Sequence, residues 1–591
     1  MEKLILNPTK ISFKKDVTNF FLGKWFANSI KKSQKNNIKF ATFITENFNI
    51  ENEVIQSKYI KKICKEILDE IVPTLNQLNN VNWSNKVWDF FLSRWLQNYI
   101  SVILDRINLV KPLFKSDVNY DDQLELGRNT SLASYHLKDF TFNTGLFSWN
   151  EKLISRIIYL IKTQDFNNNE SLLNSETHFK TINEKFFTLA TYNLYVGILK
   201  FLGKLFCKRN NFLFYNTYIK NKIKLFKIIL KLGDFPFRYP FSFFNKRIIK
   251  KGIDSNLRKK ILININSDNL NLKIIKFLLI ECLPTIYLEG FQIQRKIANN
   301  SHLPKKVKVV FTSSTYDDNS FKFWLADQIN TGINIAHGQH GSGYFIFKEL
   351  FTETFETELS NKYFSWGMKE NNSKVIGVGN YLLDIKKIKN IYNKNYLIVF
   401  PSTTLFKRSR WIFDYYHCME ESAVQFQKFI DNINFSLINI LNLRFHPADD
   451  SSRELKQSDL VDFNNTKIKK LNVNIKFEKL IDNHSLIIFS YLSTEFYKMM
   501  SINKPCLILL NQNDIELFTD AAKKDFGQLI DSGILHTNGL SLAKHLNLIS
   551  NDVGNWWNSE KIIQIKKEFC NNYSDPYFNV DKIVEELNFL K

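Results

Sequence analysis

Residues 307–344 read VKVVFTSSTYDDNSFKFWLADQINTGINIAHGQHGSGY, and this stretch decides the fold class. An apolar, β-branched run at 307–311 predicts a short strand bounded by Thr and Ser. Phe321, Trp324, Leu325 and Ile329 then recur at three- and four-residue spacing, the pattern of one helix face. A second strand-like run at 333–336 breaks into His337-Gly338-Gln339-His340-Gly341-Ser342-Gly343. Strand, helix and strand in that order predict a parallel α/β unit. In an open sheet of that kind, ligands sit outside the carboxyl ends of the strands, where this Gly- and His-rich segment is expected.

Working outward, 591 residues are too many for one hydrophobic core, so two or more domains are expected. With 44% apolar and 23% charged residues the composition is that of a globular chain and not of a disordered one. A formal charge of +22 favours polyanions: nucleic acid, anionic lipid or phosphorylated substrates. The basic residues are spread along the chain without a nucleic-acid motif, so nucleic acid is not an expected partner. The charge reads as solvated surface first and as peripheral contact with an anionic membrane second.

Cys64, Cys207, Cys282, Cys418, Cys506 and Cys570 form no C-x-x-C pair, which predicts free thiols of a reducing compartment. The first ten residues lack the apolar segment of a secretory signal. The most apolar runs, 194–206 and 277–288, are broken by Lys or Glu and fall short of the roughly 20 residues of a spanning helix. A cytoplasmic protein is expected, with the inner face of the membrane as its peripheral location.

The remaining chain alternates in the same way. Residues 3–6 read as a strand, and 59–78 and 83–110 as helices, the second with a stripe of Trp88, Phe91, Trp95 and Tyr99 that predicts core packing. Helices are predicted over 152–162, 186–206 and 278–299, with little pattern elsewhere between 117 and 300. Further strands are expected at 375–380, 396–400, 437–445, 486–489 and 505–509, with helices at 412–430 and 494–500 between them. The basic, polar segment 386–394 reads as a linker. Helices over 555–572 and 580–590 close the chain. The division is 1–385 with a helical insertion over about 117–300, then 386–554, then a helical segment 555–591.

Three segments at predicted strand ends could carry chemistry: His337 to Gly343, then Arg444-Phe445-His446-Pro447, then Ser490-Tyr491-Leu492-Ser493-Thr494-Glu495. Arg444 and His446 alternate on a strand, so both leave on one face. A guanidinium offers a planar fork to phosphate oxygens, and an imidazole adds a donor or a proton. Ser490, Ser493 and Thr494 bring hydroxyls and amides to a helix start, which suits phosphate, although Ser or Thr there also serves as a plain cap. His337 and His340 form an H-x-x-H, but no Cys or clustered carboxylate completes a metal set, so no metal is expected. General acid–base work by one of the histidines is the expectation. Asp317 and Asp318 could orient one of them, though loop solvation explains both.

Together these residues resemble the GT-B glycosyltransferases that use cytidine nucleotides: bacterial sialyltransferases, capsule Kdo-transferases and teichoic acid polymerases, with their HP and serine-rich elements. The sequence is more similar still to a bacterial family of surface-polysaccharide transferases of O-antigen type. That likeness rests on FLG-x-W at 21–25, TSS at 312–314, the G-Q-H-G of 338–341 and Y-F-x-W-G at 363–367. It implies two Rossmann-like domains facing a cleft, with helical additions in the N-terminal half. It also implies a nucleotide-sugar donor held by Arg444, His446, Pro447, Ser490, Ser493 and Thr494. Gln339 and Gly341 would lie on the acceptor side with His340 or His337 as catalytic base, and no cofactor beyond the donor is implied. The expected reaction moves a sugar, a keto-acid sugar from a CMP donor, to a glycan or lipid-linked glycan. A CDP-polyol phosphotransferase and a non-catalytic nucleotide- or polyanion-binding protein stay open as alternatives.

Overall fold

The computed structural model describes residues 2–5, 18–21, 50–115, 131–166, 211–234, 251–301, 303–304, 306–314, 320–367, 374–383, 395–401, 419–446, 457–463 and 466–591. After a short parallel pair, β1 (Glu2–Ile5) and β2 (Thr18–Phe21), two parallel sheets follow. The first comprises β3 (Phe212–Tyr215), β4 (Val309–Thr312), β5 (Asn334–Gly338), β6 (Lys362–Ser365) and β7 (Val375–Gly377), side by side in sequence order. The second comprises β8 (Tyr396–Phe400), β9 (Leu441–Phe445), β10 (Lys469–Lys470), β11 (Leu486–Phe489), β12 (Cys506–Leu509) and β13 (Leu535–His536). Its spatial order is β10-β9-β8-β11-β12-β13. Counting its strands one to six, that is 3-2-1-4-5-6, the doubly wound Rossmann order. The chain therefore has the two-sheet, GT-B-like α/β fold.

The strands β8, β11 and β12 are continuous apolar runs because both faces of the sheet are covered there. Leu213, Tyr215, Val310 and Ile335 pack on one side of the first sheet, while Phe212, Phe214, Val309, Phe311 and Ala336 pack on the other. In the second sheet Leu397, Val399, Ile487 and Phe489 face one layer and Ile398, Phe400, Leu486 and Ile488 the other. This period of two is the strand's own geometry.

Several sequence boundaries move. The stretch expected to be one helix over 278–299 is two, Leu270–Cys282 and Phe291–Asn299, because Pro284 cannot continue the first. The strand expected from 437 starts at Leu441, after one helical turn, Phe435–Ile438. The region expected as a helical insertion also holds β3, the edge of the first sheet, which its Phe-rich, basic surroundings concealed. The linker at 386–394, the helix at 186–206 and most of the FLG-x-W element lie outside the described residues.

The terminal helices tie the two sheets together. Glu560–Tyr573 packs Ile562, Phe569 and Tyr573 against the second sheet's layer, and Val580–Phe589 packs Ile583 and Leu587 against the first's. Between them, the Asp575 amide donates to Trp366 O at 2.9 Å, and the Asn380 amide donates to Asp575 O at 2.7 Å. Gly379 makes this crossing possible: its φ is +86°, and a Cβ there would fall 2.0 Å from the carbonyl oxygen of Tyr577. Gly379→Ala should cost about 2–3 kcal/mol from backbone strain and overpacking, read as a lowered unfolding midpoint. An unchanged midpoint would show that this crossing does not hold the fold.

Candidate active site

The period of the first sheet explains where the histidines go. His337 lies inside β5, one residue beyond the expected strand end and on the same face as Ile335, so it points into the helical layer. There it is fully buried, with Nε2 3.2 Å from Ser314 O and its ring stacked on Tyr363 at 5.7 Å. His340, past the strand, keeps 18% of its side chain exposed. Both Nδ1 atoms stand 3.5 Å from the carboxyl oxygens of Glu356, on the helix Phe351–Leu359. Tyr344 donates its hydroxyl to Glu356 at 2.9 Å and lies 3.3 Å from His340 Nδ1. Tyr218 places its ring 6.1 Å from that of His340.

Glu356, Tyr344 and Tyr218 are the site residues that sequence reading missed. The one available signal was a carboxylate beside Phe355 on the buried face of a short amphipathic helix. Burial pushes the Glu356 carboxyl up to about 8 and His337 down to about 4, and it lowers His340 in the same sense. Arg94, from the long helix Asn85–Val110, adds positive potential to all three groups. Near neutral pH the imidazoles are therefore unprotonated and the carboxyl is protonated. His340 is the histidine that combines a free base form with access to solvent.

Gln339 is committed within the protein. Its Nε2 donates to Gly341 O at 3.1 Å, and its Oε1 accepts the Trp366 amide at 2.9 Å. Its carbonyl accepts both the Trp366 indole N–H and the Tyr381 hydroxyl. It braces the loop, and the Y-F-x-W-G element that includes Trp366 supplies that brace. Gly338 lets the brace close, because a Cβ there would lie 2.5 Å from Ser313 Oγ and 2.6 Å from the Tyr381 hydroxyl.

On the second sheet, β8 and β11 are neighbours from which the strand order runs outward in opposite directions, so a crevice opens at their carboxyl ends. Ser490 sits there, its hydroxyl donating to Val399 O at 3.3 Å. A small pocket lies at this point, with Pro401, Ser490, Tyr491 and Leu510 in its wall. Arg444, at the end of the adjacent β9, is buried with its guanidinium 5.5 Å from the Phe477 ring centroid. Its Nε has no hydrogen-bond partner among the described residues. Desolvation lowers its pKa, opposed by Tyr491, Glu495 and Glu478 nearby. His446 is exposed at the rim, its ring 6.5 Å from that of Tyr491. Ser493 caps the helix Thr494–Ser501, accepting the Phe496 amide at 3.2 Å.

The two walls touch. Ser342 Oγ donates to Leu492 O at 3.1 Å, and a side chain added at Gly341 would meet Thr494 Oγ1 at 3.9 Å. Residues 346–348 pair with 517–519: Lys348 donates to Leu517 O and Thr519 to Ile346 O. The structure thus brings His340, Gly341, Thr494, Ser493 and Ser490 to one place, with Arg444 and His446 on the strand beside it. Pro447, Asp317 and Asp318 lie outside the described residues. Among the described residues no group of three or more His, Cys, Asp or Glu is set to hold a metal ion.

The family profile of the LIC12162 family transferases matches residues 2–586. The chain belongs to that family. It is accordingly a transferase, and the match runs through both sheets and the terminal helices. No curated protein sequence matches it. Solved structures align at low similarity, among them a variant of the wall teichoic acid polymerase TagF at 10% identity and a TM-score of 0.30, over 51% of this chain and 83% of that one. MurG of Acinetobacter baumannii aligns at 10% and 0.30, over 64% and 99%. A UDP-forming α,α-trehalose-phosphate synthase of Burkholderia vietnamiensis aligns at 10% and 0.30, over 50% and 78%. At those scores they bear on neither donor nor acceptor.

The buried cluster sets a pH dependence. Glu356 holds a proton in the fold that the unfolded chain loses above 4.5, so its contribution is full below 4.5 and is lost as pH rises through about 8. His337 runs the other way: its contribution is present above 6.5 and lost as pH falls through about 4. From pH 6.5 to 8 Glu356 acts alone among these groups. Over that window the wild type should lose stability relative to Glu356→Gln, by up to about 1.4 kcal/mol per pH unit. Chemical denaturation at the two ends checks this, and parallel behaviour of both proteins would mean that Glu356 is ionised in the fold.

Proposed function

We propose that the protein is a glycosyltransferase of surface-polysaccharide assembly that moves a sugar, in our reading a keto-acid sugar from a CMP donor, to a glycan acceptor. The observation that carries this reading is Arg444: a buried cation whose Nε has no hydrogen-bond partner among the described residues, on the strand next to the sheet's crevice. A buried guanidinium costs free energy unless anions meet it; Glu495 and Glu478 offset part of that cost, and the donor's phosphate is the anion that meets Nε. Thr494 and the first amides of its helix add donors, since a helix start leaves N–H groups without intrahelical partners. His446, at the rim, contacts the nucleotide.

In the reaction the acceptor hydroxyl attacks the anomeric carbon and passes its proton to His340. The bond from that carbon to the phosphate oxygen breaks, and its electron pair leaves with the nucleotide. Arg444 and the helix amides offset the charge that develops there. Glu356, 3.5 Å from Nδ1, fixes the orientation of the ring, and His337 supports Glu356 from the buried side. Gln339 has no substrate contact in this scheme, because its amide is already used.

Thermal shift against CMP, CDP, UDP and GDP tests the donor site, because a ligand that binds only the folded chain raises its stability. Cytidine nucleotides should give the largest shift, and Arg444→Met should remove it, with His446→Ala weakening it. His340→Gln should keep the shift and lower turnover by about 100-fold or more. An undiminished nucleotide response in Arg444→Met would displace the donor site, and undiminished turnover in His340→Gln would displace the base.

A further inference from the structure

The helix Lys222–Lys231, KIKLFKIILK, begins just after the loop that carries Tyr218 and packs Leu225, Ile228 and Ile229 inward. Its opposite face is apolar as well. Ile223 is 68% exposed and Leu230 61% exposed, and seven residues of separation put them on one face of the helix. Lys222, Lys227 and Lys231 are exposed around them, and the helix contains no acidic residue. On the helix packed against it, Val580–Phe589, which carries Asp581, Glu585 and Glu586, Asp581 pairs with Lys231, while Lys224 lies over the Phe578 ring. Apolar side chains in water, ringed by lysines, match a surface that is apolar beneath and anionic on top.

We propose that this helix face docks the enzyme on an anionic lipid bilayer, with Ile223 and Leu230 entering the headgroup region and the lysines meeting the lipid phosphates. The placement gives the contact a purpose. Asn221 caps the helix three residues after Tyr218, whose ring lies 6.1 Å from His340, so docking sets the mouth of the acceptor site beside the membrane. An acceptor carried on a lipid would reach His340 from there, and this last step rests on the acceptor-side reading of His340. Among the described residues no helix is long and apolar enough to cross a membrane, so a surface contact is the mode that this face supplies.

Co-sedimentation of the full chain with phosphatidylcholine vesicles, with and without about one-third phosphatidylglycerol, reads the docking without reference to catalysis. The chain should bind the anionic vesicles and be released by high salt. Ile223→Ser with Leu230→Ser, and separately Lys222→Glu with Lys227→Glu, should each weaken binding about 10-fold or more. Unchanged cytidine-nucleotide thermal shifts would show that both variants fold. No binding by the wild type, or equal binding by the variants, overturns the proposal. So does stronger binding to single-stranded RNA that both helix variants lose in parallel. Vesicle binding that survives while His340→Gln leaves turnover intact would keep the docking face and remove only its link to the acceptor site.

Discussion

The arrangement of this enzyme depends on a crossing of backbone over backbone. Near its end the chain leaves the second sheet's helical layer, passes Ser574 and Asp575, and enters the first sheet's layer as Val580–Phe589. Its hydrogen bonds there, to Trp366 O, from Asn380 and to Val378 O, are backbone bonds to the carboxyl-end loops of the first sheet. Ser574 O also accepts a bond from Ser501, at the far end of the helix that begins beside Thr494. One short segment thus ties the carboxyl-end loops of the first sheet to a helix of the second. The left-handed backbone of Gly379 is the local condition for it.

With the strand ends held, the two walls differ in their electrostatics. The second sheet offers a permanent cation, Arg444, and the start of a helix, both suited to a charge already present on a phosphate. The first offers Glu356, His337 and His340, kept uncharged by burial, and such a site gains charge only when a proton reaches an imidazole or leaves the carboxyl. The long helix Asn85–Val110 shapes the first sheet's wall too, since Arg94 lies near enough to bias all three groups. The helical layer of the N-terminal half is thus part of the site as well as of the core.

Much of this was legible in the residues. The buried strands at 396–400 and 486–489 were read to the residue, because a strand covered on both faces is a continuous apolar run ended by Pro or Ser. The three motif segments stand out for a similar reason, since Gly, His, Pro and Ser interrupt the apolar runs at strand ends. What stayed hidden depended on partners far away in sequence. Glu356 looks like any acid on a short helix until β5 brings His337 beside it. Gln339 resembles a ligand-binding amide until Trp366 and Gly341 are seen to occupy it. β3 was missed because an edge strand of four residues among lysines and phenylalanines has no period long enough to read.

The sequence by itself determined the fold class and the parallel α/β alternation, and it singled out Arg444, His446, Ser490, His337 and His340 as candidates for chemistry, because strand period and turn chemistry are local. Tertiary structure alone decided that His337 is buried while His340 keeps an exposed edge, that Ser493 is spent as a cap, and that Arg444 is buried with no partner at Nε among the described residues. Burial and the approach of two chain segments set those properties, and neither is written in any window of the sequence. The loop at 337–343 had seemed a site in its own right; the fold makes it one wall, braced by Trp366 and Tyr381 and completed by Leu492 and Thr494.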